Sequence, residues 1–323
     1  MVALYVTSWE NGSGKTSICA GIGQYLKNSG KKIGFLKPVI ANKAGAADGD
    51  AALIKHLLAL DEADDLLSPT FKDEADLAKG IKGAIAKVSP GKDIVIIDGV
   101  NSRSVIEAAG VPVIAVETYS NDLSGIIESY KGFGPLLLGI IINKVPARRL
   151  DRVRAEASSA MESAGIKLLA VLPEDRTLIA MTVAELAALL QGELISGNGG
   201  SSGLVENLMI GALAIDPGPH YFSRKANKAA LIKSGRSDMQ LATLQTSTSC
   251  LVLTGSEKIQ PVVLAQAREK NVPIILAGGE IPDVAATIET AIGKSGFNRE
   301  KLTRLSQILE QHLDIEQVLN GLG

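Results

Sequence analysis

Short apolar segments alternate with longer amphipathic segments along the first half of the chain. The apolar segments are rich in β-branched residues and predict strands at 2–6, 33–36, 94–97, 113–116, 139–142 and 168–171. Apolar positions with helical spacing predict helices at 15–29, 50–60, 73–88 and 148–164. Strands that are apolar throughout are typical of parallel sheets covered on both faces. The pattern therefore predicts an α/β domain with a doubly wound parallel sheet over residues 1–174.

The second half repeats this alternation on a smaller scale. A helix over 182–190 has Thr182 as its expected N-cap. Strand–helix pairs follow at 250–253 with 259–270 and at 274–276 with 281–293. Residues 196–203 contain only Ser, Gly and Asn and predict a flexible connection. We expect a second, smaller α/β domain at 175–297 and a C-terminal helical tail at 298–323.

Composition and charge narrow the class of protein. Hydrophobic residues make up 46% of the 323 residues and charged residues 21%, which is enough for a large core and excludes a disordered chain. The net charge of −2 does not favour a nucleic-acid partner. The sequence contains no apolar run of membrane-spanning length and no basic leader before an apolar stretch. We therefore expect a cytoplasmic protein that binds small molecules or proteins, with Cys19 and Cys250 as buried thiols.

The segment 7–17, TSWENGSGKTS, lies between the first predicted strand and the first predicted helix. A phosphate-binding loop needs small residues and backbone N–H groups at a helix N-terminus, and the small residues here are Gly12, Ser13 and Gly14. Lys15 would contact the β- and γ-phosphates, and the Thr16 hydroxyl would complete a magnesium shell. The alternative is an ordinary Gly-rich turn with a surface lysine. Trp9 occupies the position of the first glycine in the strict P-loop pattern.

Three more charged residues lie where predicted strands end or helices begin. Asp98 ends the apolar strand 94–97 and would be a magnesium ligand, although Asp-Gly is also common in simple turns. Lys37 follows the second strand, at the end of the sheet where ligands bind in open α/β folds. Asp50 opens a helix with Asp48 and is either part of a cap or a further metal ligand.

Taken together, these residues resemble the dethiobiotin synthetase family of the cobyrinic acid a,c-diamide synthase superfamily. The motifs that carry the resemblance are residues 6–16, Lys37-Pro38-Val39, Asp48 to Leu53 and Ile97-Asp98-Gly99. The family's loop has one extra residue, which places Ser8 at the first-glycine position. The resemblance implies a nucleotide-binding set of Glu10, Asn11, Gly12, Ser13, Gly14, Lys15, Thr16 and Ser17. It also implies a metal set of Thr16, Asp50 and Asp98, with Glu10 nearby, and catalytic roles for Lys15 and Lys37.

The resemblance extends to the residue that reads the nucleotide base. Asn143 ends the predicted strand at 139–142 and matches the family's base-reading asparagine, although a plain strand-end turn residue is the alternative. A guanine-specific site would have Asp at the position of Pro146, so ATP with Mg²⁺ is the expected ligand.

The substrate half of the family's site is not conserved in this chain. Dethiobiotin synthetases have a Gly-rich turn after the Asp98 position and a serine beyond Lys-Pro-Val. This chain has Val100-Asn101-Ser102 and Ile40-Ala41-Asn42 at those places. The nucleotide half of the site is therefore retained and the diamino-acid half is not.

The second half of the chain resembles a DRTGG domain. The segments that carry this resemblance are 173–178, 182–183, 235–242, 250–255 and 272–275. In many bacterial phosphate acetyltransferases this domain follows a dethiobiotin-synthetase-like domain and precedes the catalytic domain. The resemblance implies the regulatory N-terminal region of such an enzyme standing alone, and a homodimer. A candidate ligand site at a strand–helix junction comprises Arg236, Ser237, Asp238 and Thr254; the alternative is a helix capped by Ser237 or Asp238 with a solvated arginine.

Three functions remain open at this point. The leading hypothesis is an ATP- and Mg²⁺-binding protein that senses a small metabolite and regulates acetyl phosphate or acetyl-CoA metabolism. Its expected partner is an acetyltransferase or another enzyme of acetate metabolism. The rival is an ATP-dependent ligase that activates a carboxylate or carbamate. The third is a binding module without turnover.

Overall fold

In a computed structural model, the protein is described over residues 2–41, 49–195, 200–212, 218–293 and 295–322. Two compact units are present: Met1–Glu174 together with Leu302–Gly323, and Asp175–Lys301. Within the described ranges, no helix is both long enough and apolar enough to cross a membrane.

The first unit is built on a six-stranded sheet with the order β2-β5-β1-β6-β7-β8, in which every neighbouring pair is parallel. A separate parallel pair is formed by β3 and β4. The strands are β1 (Val2–Thr7), β2 (Ile33–Leu36), β3 (Val39–Ile40), β4 (Thr70–Phe71), β5 (Ile94–Asp98), β6 (Val113–Thr118), β7 (Leu137–Val145) and β8 (Leu168–Pro173). The helices are α1 (Lys15–Asn28), α2 (Gly49–Leu58), α3 (Asp64–Leu67), α4 (Glu74–Val88), α5 (Arg103–Ala109), α6 (Leu123–Tyr130) and α7 (Leu150–Ser163).

Helices cover both faces of this sheet. Apolar residues of α4 and α5 pack on the face that carries Tyr5 and Ile97. Helix α1 packs on the opposite face, where a Cβ added at Gly23 would lie 3.5 Å from the side chain of Ile96. Alternate residues of one strand point to opposite faces, so a strand buried on both sides must be apolar throughout. The predicted doubly wound α/β class is confirmed.

The second unit has a five-stranded sheet with the order β10-β15-β14-β13-β12, in which only β10 is antiparallel to its neighbour. The strands of this unit are β9 (Met181–Thr182), β10 (Glu193–Ile195), β11 (Leu204–Val205), β12 (Asn207–Gly211), β13 (Lys228–Lys233), β14 (Thr248–Thr254) and β15 (Ile274–Ala277). The helices are α8 (Arg176–Ile179), α9 (Val183–Leu189), α10 (Gly218–Phe222), α11 (Ser237–Leu244), α12 (Pro261–Glu269) and α13 (Ile281–Ala291).

Of the seven strands described in this unit, the sequence pattern predicted the ranges of β14 and β15 only, and one predicted cap is confirmed. Strand β13 contains Ala229 and Ala230, which have low intrinsic preference for strands, so packing between its neighbours decides its structure. Thr182 is the N-cap of α9, as predicted, and the structure adds a capping box with Glu185.

The predicted flexible connection at 196–203 is only partly described. Residues 196–199 lie outside the described ranges, while Gly200–Ser202 form a short 3₁₀ helix. A Cβ added at Gly200 would lie 2.7 Å from the Pro273 ring, so this part packs closely on the unit.

The C-terminal segment packs on the first unit. It forms α14 (Leu302–His312) and α15 (Ile315–Asn320). Leu305 and Leu309 of α14 are buried, and a Cβ added at Gly21 of α1 would lie 2.3 Å from Leu309. The amphipathic tail thus contributes apolar side chains to the core of the first unit.

Candidate functional site: the phosphate loop and its acidic cluster

The loop between β1 and α1 adopts a conformation that depends on glycine. Gly12 and Gly14 have φ angles of 77° and 97°, which residues with a side chain rarely adopt. A Cβ on Gly14 would lie 2.6 Å from Nδ2 of Asn143, so glycine is also required there for space. Helix α1 begins immediately after Gly14, which directs its N-terminus at the loop.

Two residues of β7 hold the carbonyl groups of this loop. The Asn143 side-chain amide donates to the Ser13 carbonyl oxygen at 2.8 Å, and the Lys144 ammonium donates to the Gly12 carbonyl at 2.6 Å. Lys144 itself has a φ of 61°, and its backbone N–H donates to Oδ1 of Asn143 at 2.9 Å. Asn143, for which the resemblance predicts base reading, braces the loop in this structure. Lys144 was not predicted, and its sequence signal is its position after Asn143 at a strand end.

Ser13 and Ser8 are the buried serines of the loop, and the Ser8 hydroxyl donates to the Glu10 carbonyl at 2.9 Å, whereas that of Ser13 has no hydrogen-bond partner among the described residues. A buried polar atom without a partner is costly unless a ligand or water satisfies it. Asn11 and Gly12 are exposed, and Ser17 is half-buried in the first turn of α1. The loop thus has an unsatisfied donor at the place where the sequence predicts an anion.

An acidic cluster lies beside the loop. Asp98, only 3% exposed, accepts a hydrogen bond from the Thr16 hydroxyl at 2.7 Å. The same hydroxyl is 3.2 Å from a carboxylate oxygen of Asp50. Thr16, Asp50 and Asp98, the predicted metal set, are therefore brought together from α1, α2 and β5.

Both predicted catalytic lysines reach this cluster. The Lys37 ammonium pairs closely with Asp50 and lies 3.4 Å from Asp98. The Lys15 ammonium lies 3.9 Å from Asp98 and donates to the Gly99 carbonyl oxygen at 3.0 Å. Two cations thus balance two carboxylates at the carboxyl edge of the sheet.

Gly99 explains how the chain turns beside the buried carboxylate. A Cβ at Gly99 would lie 2.1 Å from the Tyr5 ring, so only glycine fits. The Tyr5 hydroxyl donates to the Val100 carbonyl at 2.9 Å, and burial raises the pKa of Tyr5, which keeps it a donor. In the Asp98-Gly99 pair, the glycine therefore allows the chain to turn past Tyr5, and this turn positions the Asp98 carboxylate.

The donor set suits magnesium better than a softer metal. Two carboxylates and a hydroxyl are hard oxygen ligands, and Mg²⁺ is usually held by one or two carboxylates, with phosphate and water completing its shell. No cluster of three or more His, Cys, Asp or Glu side chains that could hold a metal is found in the described ranges. Glu10 is exposed on the loop, and Asp48 lies outside the described residues.

Glu117 is a buried carboxylate that sequence analysis missed. It lies near the end of β6, the neighbour of β1, and accepts the Trp9 backbone N–H at 2.6 Å. Burial raises the pKa of Glu117, against the hydrogen bonds from Tyr130 and Trp9. Its sequence signal is a carboxylate at the end of an apolar strand, the same signal that identified Asp98.

The Trp9 side chain is 61% exposed, although its backbone is held by Glu117. An indole in a phosphate loop either stacks on a ligand or packs on protein. With most of its ring surface in solvent, Trp9 is available to a ligand.

In the second unit, the predicted ligand residues do not converge. The Arg236 guanidinium pairs with the Asp238 carboxylate, with a shortest distance of 2.7 Å, and this bond lowers the pKa of Asp238. Helix α11 begins at Ser237 without a side-chain cap, so the predicted capping by Ser237 or Asp238 is wrong. The carboxylate of Glu257 instead lies over Gly235, where a Cβ would be 1.8 Å from it.

Thr254 lies on the other face of the second sheet. In β14, Leu251 and Leu253 pack on the core that includes Met239 of α11, while Cys250 and Val252 belong to the opposite core. Alternation places the Thr254 side chain with Cys250 and Val252, away from α11. Its hydroxyl is buried and has no partner among the described residues.

Both cysteines are buried free thiols, as predicted. Burial raises the pKa of Cys19 well above its usual value and that of Cys250 to about 12. Neither thiol is a candidate nucleophile.

Comparison with known families identifies both parts of the chain. Residues 2–106 match the family model of an AAA domain, and residues 185–291 match that of the DRTGG domain. The chain therefore combines a P-loop domain with a DRTGG domain.

Phosphate acetyltransferases are among its curated relatives. The enzyme of Synechocystis is 20% identical over 99% of this chain and 52% of its own length. That of Nitrosomonas europaea is 25% identical over 66% of this chain and 35% of its own length. The chain thus spans about half the length, or less, of these relatives and resembles the N-terminal region of phosphate acetyltransferase.

Among solved structures, cobyrinic acid a,c-diamide synthase from Mycobacterium smegmatis, with bound ADP and magnesium, is 19% identical. The match covers 55% of this chain and 88% of that one, with a TM-score of 0.35.

Proposed function

We propose that the first unit binds ATP with Mg²⁺, and that the protein uses this site in regulation linked to acetyl phosphate or acetyl-CoA metabolism. The observation that carries the proposal is the convergence of Lys15, Lys37 and Thr16 on the Asp98 carboxylate beside the unsatisfied Ser13 hydroxyl. Cations, a helix N-terminus and hard oxygen ligands together match a triphosphate and its divalent ion.

Each residue has a distinct role in this proposal. The loop residues Glu10 to Ser17 surround the phosphates, with Lys15 neutralising their charge. Thr16, Asp50 and Asp98 would hold the metal ion, which supplies charge neutralisation when bound. Lys37 stabilises negative charge on the acceptor side, and Asn143 contacts the base while bracing the loop.

The second unit is the proposed sensor. Its candidate ligand residues are Arg236, Ser237 and Asp238 at the start of α11; Thr254, the fourth predicted residue, points to the opposite face of the sheet and would not contact the same ligand. A small metabolite is the expected ligand. We further propose a cytoplasmic homodimer that acts on an acetyltransferase or another enzyme of acetate metabolism, which light scattering and co-purification would test.

Isothermal titration with ATP, ADP and Mg²⁺ tests the nucleotide site. Lys15→Ala should lose binding, while Lys55→Ala, in an exposed pair with Asp64, should bind like the wild type. Absence of heat for every nucleotide with wild-type protein would refute the proposal.

An ATP-dependent ligase is the second candidate, because Lys37 pairs with both Asp50 and Asp98 at the position expected for an acceptor-handling lysine. Phosphate release that requires an added amine or carboxylate would favour the ligase, whereas steady release without one would argue against it. Incubation with diaminopelargonate and bicarbonate tests the dethiobiotin reaction directly.

A further inference from the structure

Glu117 is placed between the phosphate loop and helix α6. It is 3% exposed and lies in β6, which pairs with β1 through Thr7 and Ala115. Its Oε1 accepts the Trp9 backbone N–H at 2.6 Å and also a short hydrogen bond from the Tyr130 hydroxyl. One carboxylate oxygen therefore joins the first bend of the loop to the last residue of α6.

This carboxylate is held by hydrogen bonds and not by an ion pair. Within the described ranges, no lysine, arginine or histidine forms a salt bridge with Glu117, whereas Asp98 at the same edge is near two lysines. Taking a carboxylate out of water is costly, so its hydrogen bonds must be well formed. Tyr130 is fully buried, and its hydroxyl stays protonated because burial and Glu117 raise its pKa.

The bond to Trp9 acts where the chain leaves the sheet. Strand β1 ends at Thr7, so Trp9 is the second residue of the loop. At the other end of the loop, Asn143 and Lys144 hold the carbonyl oxygens of Ser13 and Gly12. Gly12 lies at the second anchor point and Gly14 follows directly after it, and glycines by themselves allow many conformations.

We propose that Glu117 is a positioning residue of the phosphate loop: by binding the Trp9 N–H it fixes the first bend, and Tyr130 holds Glu117 in place. A preorganised loop binds phosphate with less loss of conformational entropy than a mobile one. The effect on nucleotide affinity rests on the proposed function, but the effect on loop order does not.

Trp9 provides a direct readout, because it is the only tryptophan of the chain and its ring is mostly in solvent. Time-resolved fluorescence anisotropy of nucleotide-free protein measures its nanosecond motion. Glu117→Ala should increase the amplitude of the fast decay roughly twofold and weaken ADP binding about tenfold, the effect expected for one hydrogen bond to a charged group.

Glu117→Gln keeps an oxygen that can accept the Trp9 N–H and should restore both values close to wild type. Tyr130→Phe should lie between the two variants. Glu128→Ala, an exposed carboxylate on the same helix as Tyr130, is the matched control and should change neither value.

Wild-type anisotropy in a folded Glu117→Ala protein would overturn the proposal. If that variant does not fold, Tyr130→Phe decides: a fast decay equal to wild type overturns the proposal and an increased one supports it. If the wild-type protein binds no nucleotide, the proposed function fails while the anisotropy measurement still tests Glu117.

Discussion

The carboxyl ends of the parallel strands carry their charges in different arrangements in the two units. In the first unit, Asp98 is buried and is approached by Lys15 from α1 and Lys37 from the end of β2. In the second unit, Arg236 pairs with Asp238, only two residues away, and both side chains are partly exposed. The first sheet is parallel throughout and the second is parallel except for β10, but the two differ in how far the paired charges are separated along the chain.

This difference in sequence separation distinguishes a candidate ligand-binding site from an ion pair between neighbouring residues. Charges that converge from distant elements lose hydration and are held in place by the whole fold, an arrangement that a charged ligand can use. A pair two residues apart forms within a short turn and contributes little. The second unit instead buries an amine, that of Lys228, at the amino end of its sheet. This amine donates to Thr246 Oγ1 at 2.8 Å and to the Ser247 carbonyl at 2.7 Å.

The largest effect is expected in the phosphate loop itself. Gly14→Ala introduces a Cβ 2.6 Å from Asn143 Nδ2 at a φ of 97°. Strain and displaced loop contacts should together weaken ADP binding about a thousandfold, or about 4 kcal/mol. Calorimetry measures this. Gly30→Ala, with a φ of 78° and nothing within 4 Å of the added Cβ, is the control and should bind normally. Equal affinities for the two variants would contradict the assigned site.

The second-largest effect concerns Lys228 and is one of stability. Burial lowers its pKa from 10.5 to about 8, so between these pH values the unfolded chain binds the proton that the folded chain has released. Stability therefore rises with pH across this window, and the cost of the buried ammonium is fully present only below pH 8. The change is about 3 kcal/mol, at about 1.4 kcal/mol per pKa unit.

Denaturant unfolding of wild type and Lys228→Met at pH 7 and pH 10.5 tests this prediction. The wild-type protein should gain stability relative to the variant at the higher pH. Lys258→Met, an exposed lysine of the same unit, is the control. If the difference in unfolding free energy between wild type and Lys228→Met stays constant with pH, burial of the Lys228 ammonium does not destabilise the folded protein.

A smaller effect should follow from Asp98→Asn. The substitution keeps an acceptor for Thr16 but removes the charge that faces both lysines. We expect Mg²⁺ to raise the nucleotide affinity of the variant at least about tenfold less than that of the wild type, because even partners outside the ligand shell of a metal change its affinity about 10–100-fold. Titrations with and without Mg²⁺ measure it, with Asp64→Asn as an exposed control. An unchanged magnesium dependence would remove Asp98 from the metal set.

The smallest effect is expected at Arg236. Because its pair with Asp238 is local and partly exposed, Arg236→Ala should change the free energy of unfolding by less than about 1 kcal/mol and leave nucleotide binding unchanged. A larger loss of stability would mean that the fold of the second unit depends on the Arg236–Asp238 pair.

Local pattern alone specified the six strands of the large sheet in the first unit, the loop before α1 and the carboxylate that ends β5, because periodicity and strand-end chemistry are properties of neighbouring residues. The short pair of β3 and β4 was not predicted. Tertiary structure decided which distant residues meet. The strand order β2-β5-β1-β6-β7 brings Lys37, Asp98, Glu117 and Asn143 to one edge of the sheet. It also places Lys144 and Glu117 within hydrogen-bonding distance of the phosphate-loop backbone. Tertiary structure also placed Thr254 on the face opposite α11, since a strand's alternation fixes which residues share a face but not what packs against it.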